Sequence, residues 1–476
     1  MLCWLMVAGS LGAQAEPTER PILPADTRME TLENGLKVVV VPLNTPGLVS
    51  VQTWMDVGAR DEVVPGTTGY AHFFEHLMFH GSQALPRADR ERALLGLAVD
   101  ENAWTSEDHT VYHALAPAES LTRLLEIEGD RFARLHLQPA AVKREAGAVQ
   151  GEHRKGQASP GDAVWTGLMD AAFRVHTYGH PVIGLDEDVA GMPDGFAQVA
   201  SFLDDHYRPE RATLVVAGDV DPGEVFATVG RTHGGWTRDG GQLDAPALPV
   251  EPEQTAPRRV HVPWTRGETN PRLLIAWKIP AFTPGSTDSA ALQLVADLLG
   301  AEVSPLHRRL VVEEQLVREL WVPAPDHRSP GVLLVWATLS PDADIASVEA
   351  IIREEVASWA AAPSDEGGAA ALDRRKRVGL AGERARRALL LSLDSPAAWA
   401  SAVGRYASYR ANPRDLGLHA RALGAVTPGA VRDVAERFLQ EERMTVAVLA
   451  SPERLAELPE PPPLPSPDDL TGEPRP

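Results

Sequence analysis

The stretch Pro193-Asp194-Gly195-Phe196-Ala197-Gln198-Val199-Ala200-Ser201-Phe202, followed shortly by Arg211-Ala212-Thr213-Leu214-Val215-Val216, returns in altered form as Pro428 to Phe438 and then Arg443-Met444-Thr445-Val446-Ala447-Val448. Each copy reads as an amphipathic helix leading into an apolar, β-rich strand. The copies begin at residues 193 and 428, a separation far too long for a stacked solenoid repeat, so the chain reads as two duplicated domains. Upstream of the first copy, Asn34-Gly35 marks a hairpin turn between strands at 29–32 and 36–41, with a further strand at 48–57. Apolar periodicity and capping residues then predict helices at 68–80, 87–98, 120–135, 139–156 and 194–206, closed by a strand at 213–217. The second copy shows the same plan: a strand at 272–278, helices at 289–299 and 306–314, and a strand at 332–338. Paired strands, a run of helices and a closing strand describe an α+β chain of two homologous sandwich domains, each a sheet with helices over one face.

The expected boundaries are a leader at 1–15, a first domain at 24–235, a Gly- and Pro-rich exposed linker at 236–258, a second domain at 259–455 and an acidic, Pro-rich, extended tail at 456–476. Residues 2–12 are mostly apolar and end in Ala13-Gln14-Ala15, the small-x-small pattern of a secretory cleavage site, so the protein is expected to be exported to a bacterial periplasm or secreted. No later stretch approaches the roughly 18 apolar residues of a membrane helix. A formal net charge of -21 would repel a phosphate backbone, which makes nucleic acid a poor partner. The only cysteine, Cys3, lies in the leader, so any metal must be held by His, Asp or Glu. The basic run Arg374-Arg375-Lys376-Arg377 reads as a solvated helix face.

The segment that carries chemistry is Gly69-Tyr70-Ala71-His72-Phe73-Phe74-Glu75-His76-Leu77-Met78-Phe79-His80-Gly81. On a helix His72, Glu75 and His76 share one stripe, while Phe73, Phe74 and Leu77 pack elsewhere. Two imidazoles one turn apart can hold one zinc ion per chain, and the carboxylate between them can take a proton from a water at the metal. A catalytic zinc needs a third protein ligand. The helix at 139–156 offers Glu145 and Glu152, seven apart on one stripe, and His153; spacing alone does not separate these three. Ala146, Gly147, Ala148 and Gly151 are expected to let this helix approach the first closely. His80, His109 and His113 lie near the site in sequence and read as packing or supporting residues.

These residues resemble the pitrilysin/insulinase family of inverzincin peptidases, in particular bacterial two-domain members related to mitochondrial processing peptidase. The resemblance covers nearly the whole chain after the leader. It rests on Gly69–Gly81, on Asn102-Ala103-Trp104-Thr105-Ser106 with Tyr112, on Glu145 and Glu152, on Gly179-His180-Pro181-Val182-Ile183-Gly184, and on Tyr207-Arg208-Pro209 and Gly218-Asp219. It implies two similar domains facing each other across a chamber, Glu152 as third zinc ligand, Glu145 as an auxiliary catalytic carboxylate and Glu75 as base. It also implies peptide substrates bound as an added strand along Asn102, Ala103, Trp104 and Thr105. The activity so implied is a zinc metalloendopeptidase. A non-catalytic assembly subunit is the alternative, disfavoured because all four chemical positions are intact. One departure stands out. Family chains often carry an Arg and a Tyr seven apart that hold substrate from the second domain, and Val311 and Arg318 occupy those positions here. The resemblance therefore implies a homologous partner subunit carrying that pair, or a homodimer.

Overall fold

Val38–Val41, Thr213–Ala217 and Thr445–Ala450 are buried at every position, so their sheets are covered on both sides. The computed structural model describes residues 21–238, 247–324, 326–361, 368–410 and 412–471; the leader expected at 1–15 lies outside them. In the first half the order is β1 (Arg28–Thr31), β2 (Lys37–Pro42), β3 (Leu48–Met55), α1 (Tyr70–Met78), α2 (Arg87–Gly96), β4 (Asp100–Thr105), β5 (Thr110–Pro117), α3 (Leu121–Arg134), α4 (Pro139–Gly156), α5 (Pro160–Ala172), α6 (Asp186–Gly191), α7 (Phe196–His206), β6 (Ala212–Gly218) and α8 (Pro222–His233). The second half runs β7 (Arg258–Pro263), β8 (Arg272–Ile279), α9 (Thr287–Gly300), α10 (Pro305–His307), β9 (Val317–Trp321), β10 (Gly331–Leu339), α11 (Ile345–Ala360), α12 (Ala369–Leu391), α13 (Pro396–Arg410), α14 (Asp415–Ala425), α15 (Pro428–Phe438), β11 (Met444–Ala450) and the short α16 (Pro452–Leu455) and α17 (Pro467–Thr471).

The strand orders repeat as the duplication predicts. The first sheet is β1-β2-β6-β3-β5-β4 and the second β7-β11-β8-β10-β9. The closing strand of each, β6 or β11, inserts between a parallel neighbour and an antiparallel one. One face of each sheet packs on helices of its own half, as expected. Leu36, Val38, Val40, Val51 and Leu214 meet Phe73, Phe74, Leu124 and Val142 in the first core, and Leu273, Ile275, Val335 and Val448 meet residues of α9, α11 and α15 in the second.

The other face departs from the one-sided expectation, because the halves exchange helices. From α5, Val164, Leu168 and Ala172 pack on Leu274, Leu334, Ala447 and Leu449 of the second sheet. From α13, Ala400, Val403 and Ala407 pack on Val39, Val41, Trp54, Val111 and Val215 of the first. A Cβ at Gly404 would stand 2.1 Å from the Trp54 indole nitrogen, so only glycine lets α13 settle this closely.

Three local expectations change. The helix expected at 306–314 is α10 followed by a π-helical turn at Arg308–Glu313. The linker expected to be exposed is anchored at its described parts: Trp236 is buried against Phe132, and Glu251 accepts the backbone N–H groups of Arg174, Val175 and His176, while 239–246 lie outside the described residues. The tail holds to the body where Arg174 donates to the Pro465 carbonyl and carries α17, and its residues 472–476 lie outside the described ones. Among the described residues no helix is long and apolar enough to cross a membrane.

Candidate metal centre and peptide edge

Helix α1 starts at Gly69, whose positive φ of 86° and close approach to the Ile183 carbonyl, 2.5 Å from where a Cβ would stand, require glycine. Glu62 caps it, accepting the Gly69 and Ala71 N–H groups at 2.8 and 2.7 Å, and a carboxylate suits the positive end of a helix. Tyr70, Phe73, Phe74, Leu77 and Met78 are buried, with Phe74 stacked on Phe202 at 5.2 Å. The remaining stripe presents His72, Glu75 and His76.

Helix α4 runs beside α1 and seats Val142, Ala146 and Val149 in the first core. Of the small residues expected to admit it, Ala146 is fully buried, but Gly147 and Gly151 do not line the contact. A Cβ on Gly147 would meet nothing within 4 Å, and on Gly151 only an Arg154 side chain at 3.9 Å.

The three ligand candidates from α4 occupy different places. Glu152 Oε2 lies 3.5 Å from both His72 Nε2 and His76 Nε2, which are 3.3 Å apart. Glu145 lies behind His76, with Oε1 3.2 Å from Nδ1, and its Oε2 is 3.1 Å from His80 Nε2 and 3.4 Å from Arg87. His153 turns away and pairs with Asp186 at 3.2 Å. Among the described residues, His72, His76 and Glu152 are the one group of three that converges on a common point. The triangle fits zinc, because ligands of a tetrahedral ion with bonds of about 2.0–2.1 Å stand about 3.3 Å from one another.

Electrostatics follow from burial and the surrounding carboxylates. Burial, then neighbouring His76, pushes His72 down to about 4, so its ring is neutral at physiological pH as a metal ligand must be. For His76 burial acts downward, but the Glu145 hydrogen bond and the charges of Glu152, Glu145 and Glu75 outweigh it and raise the value. That acidic field favours positive charge at this spot, from a proton or a cation alike. The hydrogen bonds from His76 and His80 hold Glu145 well below the usual carboxylate range. Burial raises Glu75, against the opposing Thr105 hydrogen bond.

Beside Glu75 runs β4, at the end of the first sheet and, among the described residues, paired only with β5. Exposure alternates along it: Asn102 and Trp104 are exposed, Ala103 and Thr105 partly covered. Trp104 leans edge-on against Trp54 at 5.5 Å, and Thr105 Oγ1 donates to Glu75 Oε2 at 2.6 Å. His109 is buried, with its pKa pushed down to about 3 by burial and then by Arg328, and it stacks edge-on against Trp54. In the second half, Val311 packs against the core and Arg318 is exposed on β9.

Several supporting residues carry no sequence signal strong enough to find them. Glu62, the Thr105 hydroxyl and the partly buried Arg90–Glu101 pair that ties β4 to α2 depend on tertiary contacts between separate segments. Thr105 differs only in that it sits within the stretch quoted for the peptide edge.

Comparison with known proteins identifies the family and the fold. Residues 38–186 match the insulinase family (peptidase family M16), and residues 196–368 match the peptidase M16 inactive domain, together about two-thirds of the chain. An uncharacterized zinc protease of Mycobacterium leprae is 33% identical over 237 residues, 49% of this chain and 52% of that protein. One of Mycobacterium bovis is 28% identical over 443 residues, covering 91% of this chain and 96% of that protein. A solved protease from Helicobacter pylori superimposes with a TM-score of 0.81 at 22% identity over 90% of this chain and 99% of that one, which speaks to the fold alone. The chain, with its two helix-covered sheets and its matching halves, belongs to the insulinase/pitrilysin family of peptidases.

Proposed function

We propose that the protein is a zinc-dependent endopeptidase acting on peptides or unfolded polypeptides, with one zinc per chain held by His72, His76 and Glu152 and with Glu75 as general base. The observation that carries this reading is the triangle of 3.3 and 3.5 Å among those three side chains, next to the partly buried carboxylate of Glu75. Zinc bound there supplies Lewis acidity toward the scissile carbonyl and makes a water acidic enough to lose its proton near neutral pH. Glu75 takes that proton and returns it to the leaving amine; burial suits it to both steps by bringing its proton affinity closer to neutrality. Thr105 fixes Oε2, which leaves Oε1 for the transfer. Glu145 orients His76 through Nδ1, so that Nε2 offers its lone pair to the metal. The free edge of β4 takes the substrate as an added strand along Asn102, Ala103, Trp104 and Thr105.

The same reading includes a partner. Val311 and Arg318 stand in for the substrate-holding Arg and Tyr, and the Glu152 side chain is half exposed, so a homologous subunit or a second copy supplies the missing pair. The leader at 1–15 adds export to the periplasm or beyond.

The decisive experiment measures peptide cleavage and bound zinc in parallel, with and without chelator. Glu75→Gln retains zinc and loses cleavage by at least about 100-fold. A fully active Glu75→Gln refutes the assigned base, and unchanged zinc in His72→Ala or Glu152→Ala refutes the ligand set. Absence of chelator-sensitive cleavage even with a homologous partner points to the non-catalytic subunit instead.

A further inference from the structure

Asp108 lies in the turn between β4 and β5, buried where the two halves meet. Its Oδ1 accepts from the Tyr178 hydroxyl at 2.6 Å and pairs with Arg60 at 3.3 Å. Its Oδ2 accepts the backbone N–H of Arg328 at 2.9 Å and faces His327 Nδ1 at 3.6 Å. Arg328 and His327 belong to the loop that precedes β10 in the second half. Ser329 of that loop donates its N–H to the Tyr178 oxygen at 3.1 Å, and its hydroxyl lies 3.4 Å from Arg60. Buried ionic groups pay heavily in lost hydration and are poor stabilisers, so a hub of this kind invites a role beyond stability.

Two short routes lead from the hub to the proposed chemistry. Along the turn, the Asp108 and His109 N–H groups both donate to Ser106 Oγ at 3.2 Å, and the preceding residue, Thr105, holds Glu75. Along the other route, the Ala59 and Arg60 N–H groups donate to the Ser106 and Glu107 carbonyls at 3.1 and 2.9 Å, and Glu62 two residues on caps α1. Both the strand that steadies the base and the helix that carries the histidines therefore hang on a contact made by the second half.

We propose that Asp108, Tyr178 and the 326–329 loop form a positioning device through which the second half sets Thr105 against Glu75. Its kinetic consequence rests on the peptidase reading above; its mechanical consequence does not. Tyr178→Phe keeps the buried ring and removes only the hydroxyl. In the full zinc-loaded chain, with its partner if cleavage requires one, it lowers kcat on an unstructured fluorogenic peptide by about 10-fold, leaving KM within about twofold and zinc content unchanged. Thr105→Val gives a loss of similar size, and the double variant falls within about twofold of Thr105→Val alone; independent effects would multiply to about 100-fold. His327→Gln, altered from the second half, reproduces the loss should Tyr178→Phe fold poorly. Amide exchange over 102–109 also accelerates by about 10-fold in Tyr178→Phe while α15 exchanges as before. Unchanged exchange over 102–109, or kinetic losses that multiply, overturns the proposal. A wild-type chain without peptidase activity whose exchange responds as described keeps the positioning device and overturns the peptidase reading.

Discussion

Replacing Glu145 tests whether it acts on the metal directly or through His76. Its Oε1 stands 3.2 Å from His76 Nδ1, on the ring edge opposite the Nε2 atom that faces His72 and Glu152. A carboxylate in that position fixes the ring and raises the electron density of the ligand nitrogen, and losing such a partner costs 10- to 100-fold in metal affinity. With only 15% of its side chain exposed, Glu145 is weakly screened by solvent. Glu145→Gln retains an oxygen that can accept from Nδ1 and loses the charge, which places it near the lower bound, about 10-fold or about 1.4 kcal/mol. Glu145→Ala loses both and falls near about 100-fold, about 2.7 kcal/mol. Zinc dissociation constants from competition with a chromophoric chelator at fixed pH give the numbers, with circular dichroism to establish that the variants are folded. Two results refute the reasoning: affinities within about twofold of wild type in both variants, or a loss in Glu145→Ala as large as in Glu152→Ala, which would make Glu145 itself a ligand.

Two further outcomes follow from the junction of the halves. Burial pushes His327 down, but Asp108, Glu107 and Asp326 around it raise it to about 9, so the stabilisation from its positive charge is complete below the ordinary value of 6.5 and lost as pH rises through about 9; the thermal stability gap between wild type and His327→Gln should shrink by up to about 3 kcal/mol from pH 6 to pH 10, and a gap constant over that range excludes the ion pair. A fragment of residues 21–238 lacks α13 and bares Val39, Val41, Trp54, Val111 and Val215, so it should self-associate and melt without cooperativity in size-exclusion and calorimetric runs, whereas a monomeric, sharply melting fragment refutes the exchanged-helix account.

What could be read from the sequence depended on whether the signal was local. Asn34-Gly35, the apolar stripe of α1 and the Pro-started α4 announce themselves within a turn or two of helix or hairpin, and the elements at 37–42, 70–78 and 139–156 formed close to where periodicity placed them. The duplication was legible because α7–β6 and α15–β11 kept the same order of cap, apolar face and strand. Spacing could not choose among Glu145, Glu152 and His153, since the choice depends on the relative rotation of α1 and α4, a tertiary quantity. Nor could it show that α5 and α13 cross to the opposite sheets: a helix with an apolar face declares that it needs a partner and not which one. Full burial of β2 and β6 on both faces was the available hint, written as unbroken runs such as Val38-Val39-Val40-Val41.

The two halves share a fold and have divided its uses at one helix. By position between the strand antiparallel to the closing strand (β3 or β8) and the edge strand (β4 or β9), α9 is the counterpart of α1. In α1 one stripe is kept polar and open, carrying His72, Glu75 and His76. In α9 the sequence Thr287-Asp288-Ser289-Ala290-Ala291-Leu292-Gln293-Leu294-Val295-Ala296-Asp297-Leu298-Leu299-Gly300 contains no histidine, and Ser289 to Leu292, Leu294 to Ala296, Leu298 and Leu299 are buried. A helix packed on so many sides keeps no open polar stripe like that of α1 and gives its side chains to the core of its half instead. The second sheet receives α5 on its other face, the loop at 326–329 reaches Asp108 of the first half, and α13 returns to cover the first sheet. Among the described residues the second half holds no converging group of three ligand side chains, yet the first half depends on it, because each sheet has one face that a helix of the other half buries.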